Sequence, residues 1–160
     1  MSTATNPIAV AQPRALPAIF WGGLIGGAID ITYACTFTVI RGGTAQRVLQ
    51  FVASGVLGQD SFQMGWQSAA FGLLCHFTIA FGAAVTYYLA SRKLRFLIES
   101  GRLWGVIFGV GIFYFMEFVV VPLSNAPPYH PKGAALYLGL LVHMFGIGTP
   151  IAWSVRKYAS

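Results

Sequence analysis

Long apolar runs broken by short polar segments organise this chain. A bilayer core takes about 20 apolar residues per helix, and four stretches reach that length: 17–40, 67–90, 103–122 and 133–155. They predict four transmembrane helices in one membrane domain over 17–155, with short tails at 1–16 and 156–160. Trp21, Trp66, Trp104 and Trp153 each fall within about five residues of a predicted end, where amphipathic rings settle at a membrane interface. Pro122 is expected to end the third span. Pro150, with Gly146 and Gly148 beside it, is expected to kink the fourth.

The segment 44–58 carries a different period. Ala45, Val48, Leu49, Val52, Val56 and Leu57 recur on one helical face, with Gln46, Arg47, Gln50 and Ser54 on the other. At this length it is too short to span, so it predicts an amphipathic helix lying in the interface plane. Gly55 and Gly58 leave a re-entrant segment open as the alternative. The loop SNAPPYHPKG is stiffened by Pro127, Pro128 and Pro131, and His130 reads as an exposed loop residue. The expected fold is an all-α integral membrane protein, a four-transmembrane-helix bundle with one interfacial helix between spans one and two.

Composition agrees with the pattern. Charged residues make up 9% of the chain, against about a quarter in soluble domains, too few to cover a water-facing surface. The formal net charge of +6 does not point to nucleic acid, because the basic residues stand between the apolar runs. Arg14, Arg92, Lys93, Arg95, Arg102, Arg156 and Lys157 share one side, and Arg41, Arg47 and Lys132 the other. That asymmetry predicts both termini in the cytoplasm, with anionic lipid headgroups as the partner of the basic side. The ITYAC run in span one faintly resembles a lipoprotein cleavage site, but Thr32 and Asp30 stand where apolar residues are required, so an uncleaved anchor is expected. Cys35 and Cys75 lie in apolar runs without metal-like spacing and read as small buried residues, with a bridge between them left open.

Each span carries one strongly polar ionisable residue: Asp30, His76, Glu117 and His143. Such residues are costly in a bilayer, usually face protein, and mark function. Helix rise places Asp30, His76 and His143 about 13–15 Å from the outer ends of their spans and Glu117 about 8 Å. Asp30 shares its face with Gly23, Gly27 and Ala34; His76 with Ala69, Gly72, Ala80 and Ala83; His143 with Gly139, Gly146 and Pro150. Small residues mark close helix approach, and Gly22, Gly23, Gly26 and Gly27, with Gly101, Gly105 and Gly109, are the expected packing stripes. Glu117 lies about 80° off the stripe of span three, which predicts a hydrogen-bonding place at the outer rim.

Three chemistries fit this set. Interhelical hydrogen bonding makes the protein structural or accessory, alone, as a homo-oligomer through its GxxxG faces, or with a larger membrane complex. A proton or ion relay uses the carboxylates and imidazoles, and makes it a small transporter or proton-handling protein. In the third, His76 and His143 ligate haem b or a metal, although HxxxH, ExxH and CxxCH are absent. No lysine lies in a span, which excludes a retinal-type Schiff base, and no phosphate loop or nucleophile elbow occurs. A soluble-substrate enzyme has no support, and no cofactor is required by the first two readings.

The segments GGLIGGAIDI (22–31), VLQFVASGVLG (48–58), GLLCHFTIAFGAAVTYY (72–88) and MEFVVVPLS (116–124) together resemble a family of small four-span bacterial inner-membrane proteins without an established function. The likeness covers about residues 20 to 150. It implies topology and an inner-membrane location. Asp30 matches the family's acidic position in span one. An Asn commonly stands where this chain has Glu117, which implies that a carboxylate is not obligatory there.

Overall fold

The computed structural model describes residues 14–159, and most of the expected N-terminal tail lies outside them. The described residues are helical with short connections. We number the helices α1 (Ala15–Ile40), α2 (Ala45–Leu57), α3 (Gly65–Lys93), α4 (Phe96–Glu99), α5 (Gly101–Leu123) and α6 (Ala134–Tyr158). Helices α1, α3, α5 and α6 are long and apolar enough to cross a membrane, as expected of a multi-pass membrane protein. Arg156 and Lys157, expected in a tail, continue α6 as its last turn.

Large apolar side chains such as Leu74, Phe118 and Tyr137 face outward, a surface suited to lipid. Packing is left to small residues. In α1, GGLIGG carries two stripes for two neighbours. Gly22 and Gly26 meet Ile151 and Ile147 of α6, while Gly23 and Gly27 meet Phe81, Phe77 and Ala80 of α3. Gly105 and Gly109 of α5 meet Gly148, Ala152 and His143 of α6, and Gly101 lies buried in looser contact with the same helix. Helix α1 thus packs between α3 and α6, and α6 between α1 and α5. These stripes are occupied within the chain.

The two ends of the molecule differ. At the end where α1 begins and α6 finishes, Arg14 N–H donates to the Tyr158 carbonyl (2.8 Å), Ser154 to the Ala18 carbonyl (2.9 Å) and the Tyr87 hydroxyl to the Leu97 carbonyl (2.9 Å). Tyr87 also meets Phe108 of α5 edge to face. The hydrophobic core, built around Ala18, Ala84, Tyr87, Ile151, Ala152 and Val155, lies entirely in this half. At the other end, no residue of 31–40 in α1 and none of 114–123 in α5 is buried. An open-sided cleft of about 580 Å³ runs along this half of α1, lined by Ile29, Thr32, Tyr33, Thr36 and Phe37.

Helix α2 lies across that looser end. The Thr44 hydroxyl caps it by accepting from Arg47 N–H (3.2 Å), and Gly58, at φ 66°, closes it in the left-handed region. Its faces do not divide simply into apolar inside and polar outside, although Arg47 is exposed. Gln50 and Ser54 are buried, while Val56 is 59% exposed. The Gln50 amide donates to the Gly65 carbonyl (3.0 Å) and to Ser68 (3.4 Å) of α3. Close approach is enforced at Gly72, where any Cβ would collide with the Leu49 carbonyl. Asn125, just past α5, ties the far end of α2 through its N–H to the Gly55 carbonyl (3.0 Å) and its side-chain amide to the Val56 carbonyl (3.2 Å).

Candidate functional site: an intramembrane Asp–His centre

The fold brings three of the four ionisable residues together. Asp30 of α1 stands between His76 of α3 and His143 of α6. Its Oδ2 lies 4.0 Å from Nδ1 of His76, and its Oδ1 lies 3.7 Å from Nδ1 of His143. The side chains of Asp30, His76 and His143 are 18%, 12% and 16% exposed. From the observed helix ends they lie about 14–16 Å inside the α2 end.

Each imidazole is anchored through one nitrogen. His76 Nε2 lies 2.9 Å from the Gly27 carbonyl of α1, and His143 Nδ1 lies 2.9 Å from the Gly139 carbonyl of its own helix. A carbonyl only accepts, so each of these nitrogens carries a hydrogen. For His76 this fixes the tautomer: the neutral ring has Nε2–H and a bare Nδ1 that faces Asp30. A bare nitrogen and a carboxylate oxygen repel. One proton on either partner turns that repulsion into attraction. His143 differs, because its Nδ1–H is donated to the Gly139 carbonyl while the same nitrogen lies 3.7 Å from Asp30 Oδ1. Its ring is held edge to face against Phe113 at 5.2 Å.

Backbone chemistry helps to place His143. Residues Val142–Gly148 form a π-helical segment in α6, and Met116–Val120 form another in α5. Each ends two residues before a proline, Pro150 and Pro122. Proline lacks the N–H that would close the i→i−4 bond, and its ring crowds the carbonyl four residues back, so the preceding turn widens. The Thr149 hydroxyl donates to the Met144 carbonyl (3.1 Å) in the widened turn. The expected kink at Pro150 is therefore a π-segment, and α5 continues one residue past Pro122 to Leu123.

Glu117 sits in the other π-segment, about 9 Å from the end of α5, and does not join the centre. It was expected to be hydrogen-bonded at the rim. Instead its Oε2 is buried without a hydrogen-bond partner, because the surrounding turn is apolar. Glu117 does interact electrostatically with His130 and with Tyr129 of the following loop. Tyr129 packs edge to face on Phe51 of α2 at 5.6 Å. Burial pushes the Tyr129 hydroxyl pKa up, the Glu117 carboxylate pushes it further, and Arg41 opposes. Tyr33, one turn above Asp30 on α1, interacts electrostatically with both Asp30 and Tyr129. Sequence reasoning passed over Tyr33 and Tyr129. The spacing of three between Asp30 and Tyr33 was the available signal for the first.

The centre does not fit a haem bridged by two histidines. The Asp30 carboxylate lies between the rings, and His76 spends its Nε2 on the Gly27 carbonyl. Among the described residues, no group of three or more His, Cys, Asp or Glu side chains is arranged to hold a metal ion. Cys35 and Cys75 are both free thiols, so no bridge joins α1 to α3. Comparison with protein-family models, curated proteins and solved structures returned no match to this chain.

Proposed function

We propose that this is a small multi-pass bacterial inner-membrane protein that holds and exchanges a proton at the Asp30–His76–His143 centre. Four spans form the bundle, both termini are cytoplasmic, and α2 lies at the outer interface as its cover. The seven-to-three split of Lys and Arg supports that orientation, as does the resemblance to four-span inner-membrane proteins. Lys157, packed over Trp153 at 4.9 Å, belongs to the basic cytoplasmic rim that anionic lipids would meet.

The observation that carries the proton reading is the bare Nδ1 of His76 facing the Asp30 carboxylate. With one proton the pair is neutral as a whole, either as imidazolium and carboxylate or as imidazole and carboxylic acid. Without it a lone negative charge remains among apolar helices, which is costly. The protonated Nδ1 of His143, 3.7 Å from the opposite oxygen, adds a positive dipole that favours the carboxylate form. The centre therefore binds a proton as a unit.

Infrared pH-difference spectra of the protein in nanodiscs test this. The wild type should release one proton per chain from the centre with matching carboxyl and imidazole bands, and Asp30→Asn should abolish that signal. An unchanged difference spectrum in Asp30→Asn would overturn the reading. A structural role is the second reading, because the His76–Gly27 hydrogen bond ties α3 to α1. It wins if Asp30→Asn lowers the melting temperature and the wild type releases no proton from the centre.

A further inference from the structure

Seven of the ten lysines and arginines stand at the end where α1 begins and α6 finishes, and Glu99 is the one carboxylate among them. Asp30 and Glu117 lie inside spans, and Asp60 lies in the connection between α2 and α3. Glu99 closes α4, and Arg102 follows in the first turn of α5. Both are exposed. Although they stand three residues apart, neither side chain makes a hydrogen bond or an ion pair among the described residues.

The two residues line one cleft of about 440 Å³, together with Ser100, Leu103 and Arg156 of α6. Arg156 crosses the start of α5: a Cβ at Gly101 would lie 3.9 Å from its Cδ. Its guanidinium carries five donors, so it can take an anion while keeping another interaction. Leu103 (59% exposed) and Ile107 (45% exposed) share a face of α5 one turn apart. They form an apolar track that leads from the cleft along the span. Trp104 lies against Phe96 with ring centres 4.6 Å apart, and aromatic rings of this kind settle at headgroup level. A simple anion would satisfy the guanidiniums and be repelled by Glu99. A ligand with a phosphate, an ammonium and an apolar tail satisfies all of these groups together.

We propose that this cleft binds the headgroup of a phospholipid that carries a primary amine. Arg102 and Arg156 hold the phosphate, for which the guanidinium fork is suited. Glu99 accepts from the ammonium, and an acyl chain runs along Leu103 and Ile107. Glu99 makes the site selective: it attracts an amine headgroup and repels one of net negative charge. The remaining basic residues at this end have no such carboxylate beside them and attract anionic lipid without that preference. The site stands independently of the Asp30 centre and needs only that α5 and α6 cross a bilayer.

The test is native mass spectrometry of the protein in detergent, titrated with phosphatidylethanolamine or phosphatidylglycerol of identical acyl chains. The wild type should retain one phosphatidylethanolamine in preference to phosphatidylglycerol. An exposed ion pair changes binding by up to about fivefold. Glu99→Gln removes an attraction to one lipid and a repulsion from the other, so the preference should fall by about fivefold or more. Arg102→Gln should weaken both lipids by about two- to fivefold. Both side chains are exposed, so neither exchange disturbs the core. Arg95→Gln, in the same connection but outside the cleft, should change nothing. Equal retention of the two lipids by the wild type, or a preference that survives Glu99→Gln, would overturn the proposal. An equal loss in Arg95→Gln would also overturn it, because the basic rim as a whole would then hold the lipid. So would displacement of the lipid by inorganic phosphate but not by chloride of equal ionic strength, which would make the ligand a soluble phosphate.

Discussion

Gly109→Ala probes whether α5 and α6 approach as closely as the site requires. A Cβ at Gly109 would meet the His143 carbonyl oxygen, with the His143 carbonyl carbon and Met144 Cα each at 2.7 Å. Ordinary carbon contacts begin near 3.5 Å, so the helices must separate by about 1 Å. The obstacle is backbone and cannot rotate away. Overpacking of this kind costs about 1–3 kcal/mol, and we place Gly109→Ala at the upper end. Gly111 supplies the control, because it lies in the same helix and an added Cβ there meets nothing within 4 Å. Both substitutions gain the same helix propensity, up to about 1 kcal/mol, so that contribution cancels between them. The expected gap is about 3 kcal/mol, with Gly109→Ala less stable than wild type and Gly111→Ala as stable or more so. Reversible unfolding in mixed micelles reads it directly. Indistinguishable stabilities would refute the close contact. A gap of the opposite sign would put α5 in another rotation.

Other perturbations follow from the same geometry. Gly72→Ala should lift α2 from α3, because its Cβ collides with the Leu49 carbonyl; faster proteolysis within 45–57 would register this, and unchanged cleavage would count against it. Asn125→Ala removes one side-chain hydrogen bond to the Val56 carbonyl but leaves the backbone bond to Gly55, so we expect a loss of about 0.5–1.5 kcal/mol in the same unfolding assay. Tyr129 has a raised pKa in the folded protein, so the fold holds its proton more tightly than the unfolded chain. Its stabilising contribution is fully present below the ordinary tyrosine pKa of about 10 and is lost as pH rises through the folded value. Glu117→Gln should move the tyrosinate absorbance of Tyr129 to lower pH, and no change would show that the two groups are uncoupled.

The four apolar runs made the membrane-crossing helices legible, since a bilayer leaves few other ways to satisfy a backbone. The meeting of Asp30, His76 and His143 was legible too, because small residues on the same faces mark where helices approach. Helix α2 was harder. Amphipathicity shows two faces but not which solvent each meets. Here Gln50 of the polar face bonds to the Gly65 carbonyl and Ser68 of α3, while Arg47 stays exposed and Val56 turns outward. The π-segments were also hidden. Pro122 and Pro150 signalled disturbed turns, yet whether a helix ends, kinks or widens depends on whether neighbours such as Thr149 can satisfy the freed carbonyls. Tyr129 was lost in a proline-rich loop whose composition reads only as a stiff connection, because its partners Phe51 and Glu117 are distant in sequence.

The most direct test of the central claim is the protonation state of the His76 ring, read by ¹⁵N solid-state NMR of histidine-labelled protein in lipid, with His76→Ala to assign its signals. The geometry predicts that Nε2 is protonated throughout, bonded to the Gly27 carbonyl, and that the Nδ1 signal responds to the Asp30 carboxylate 4.0 Å away, a response that disappears in Asp30→Asn. A ring with Nδ1–H and a bare Nε2, unaltered by Asp30→Asn, would contradict the account.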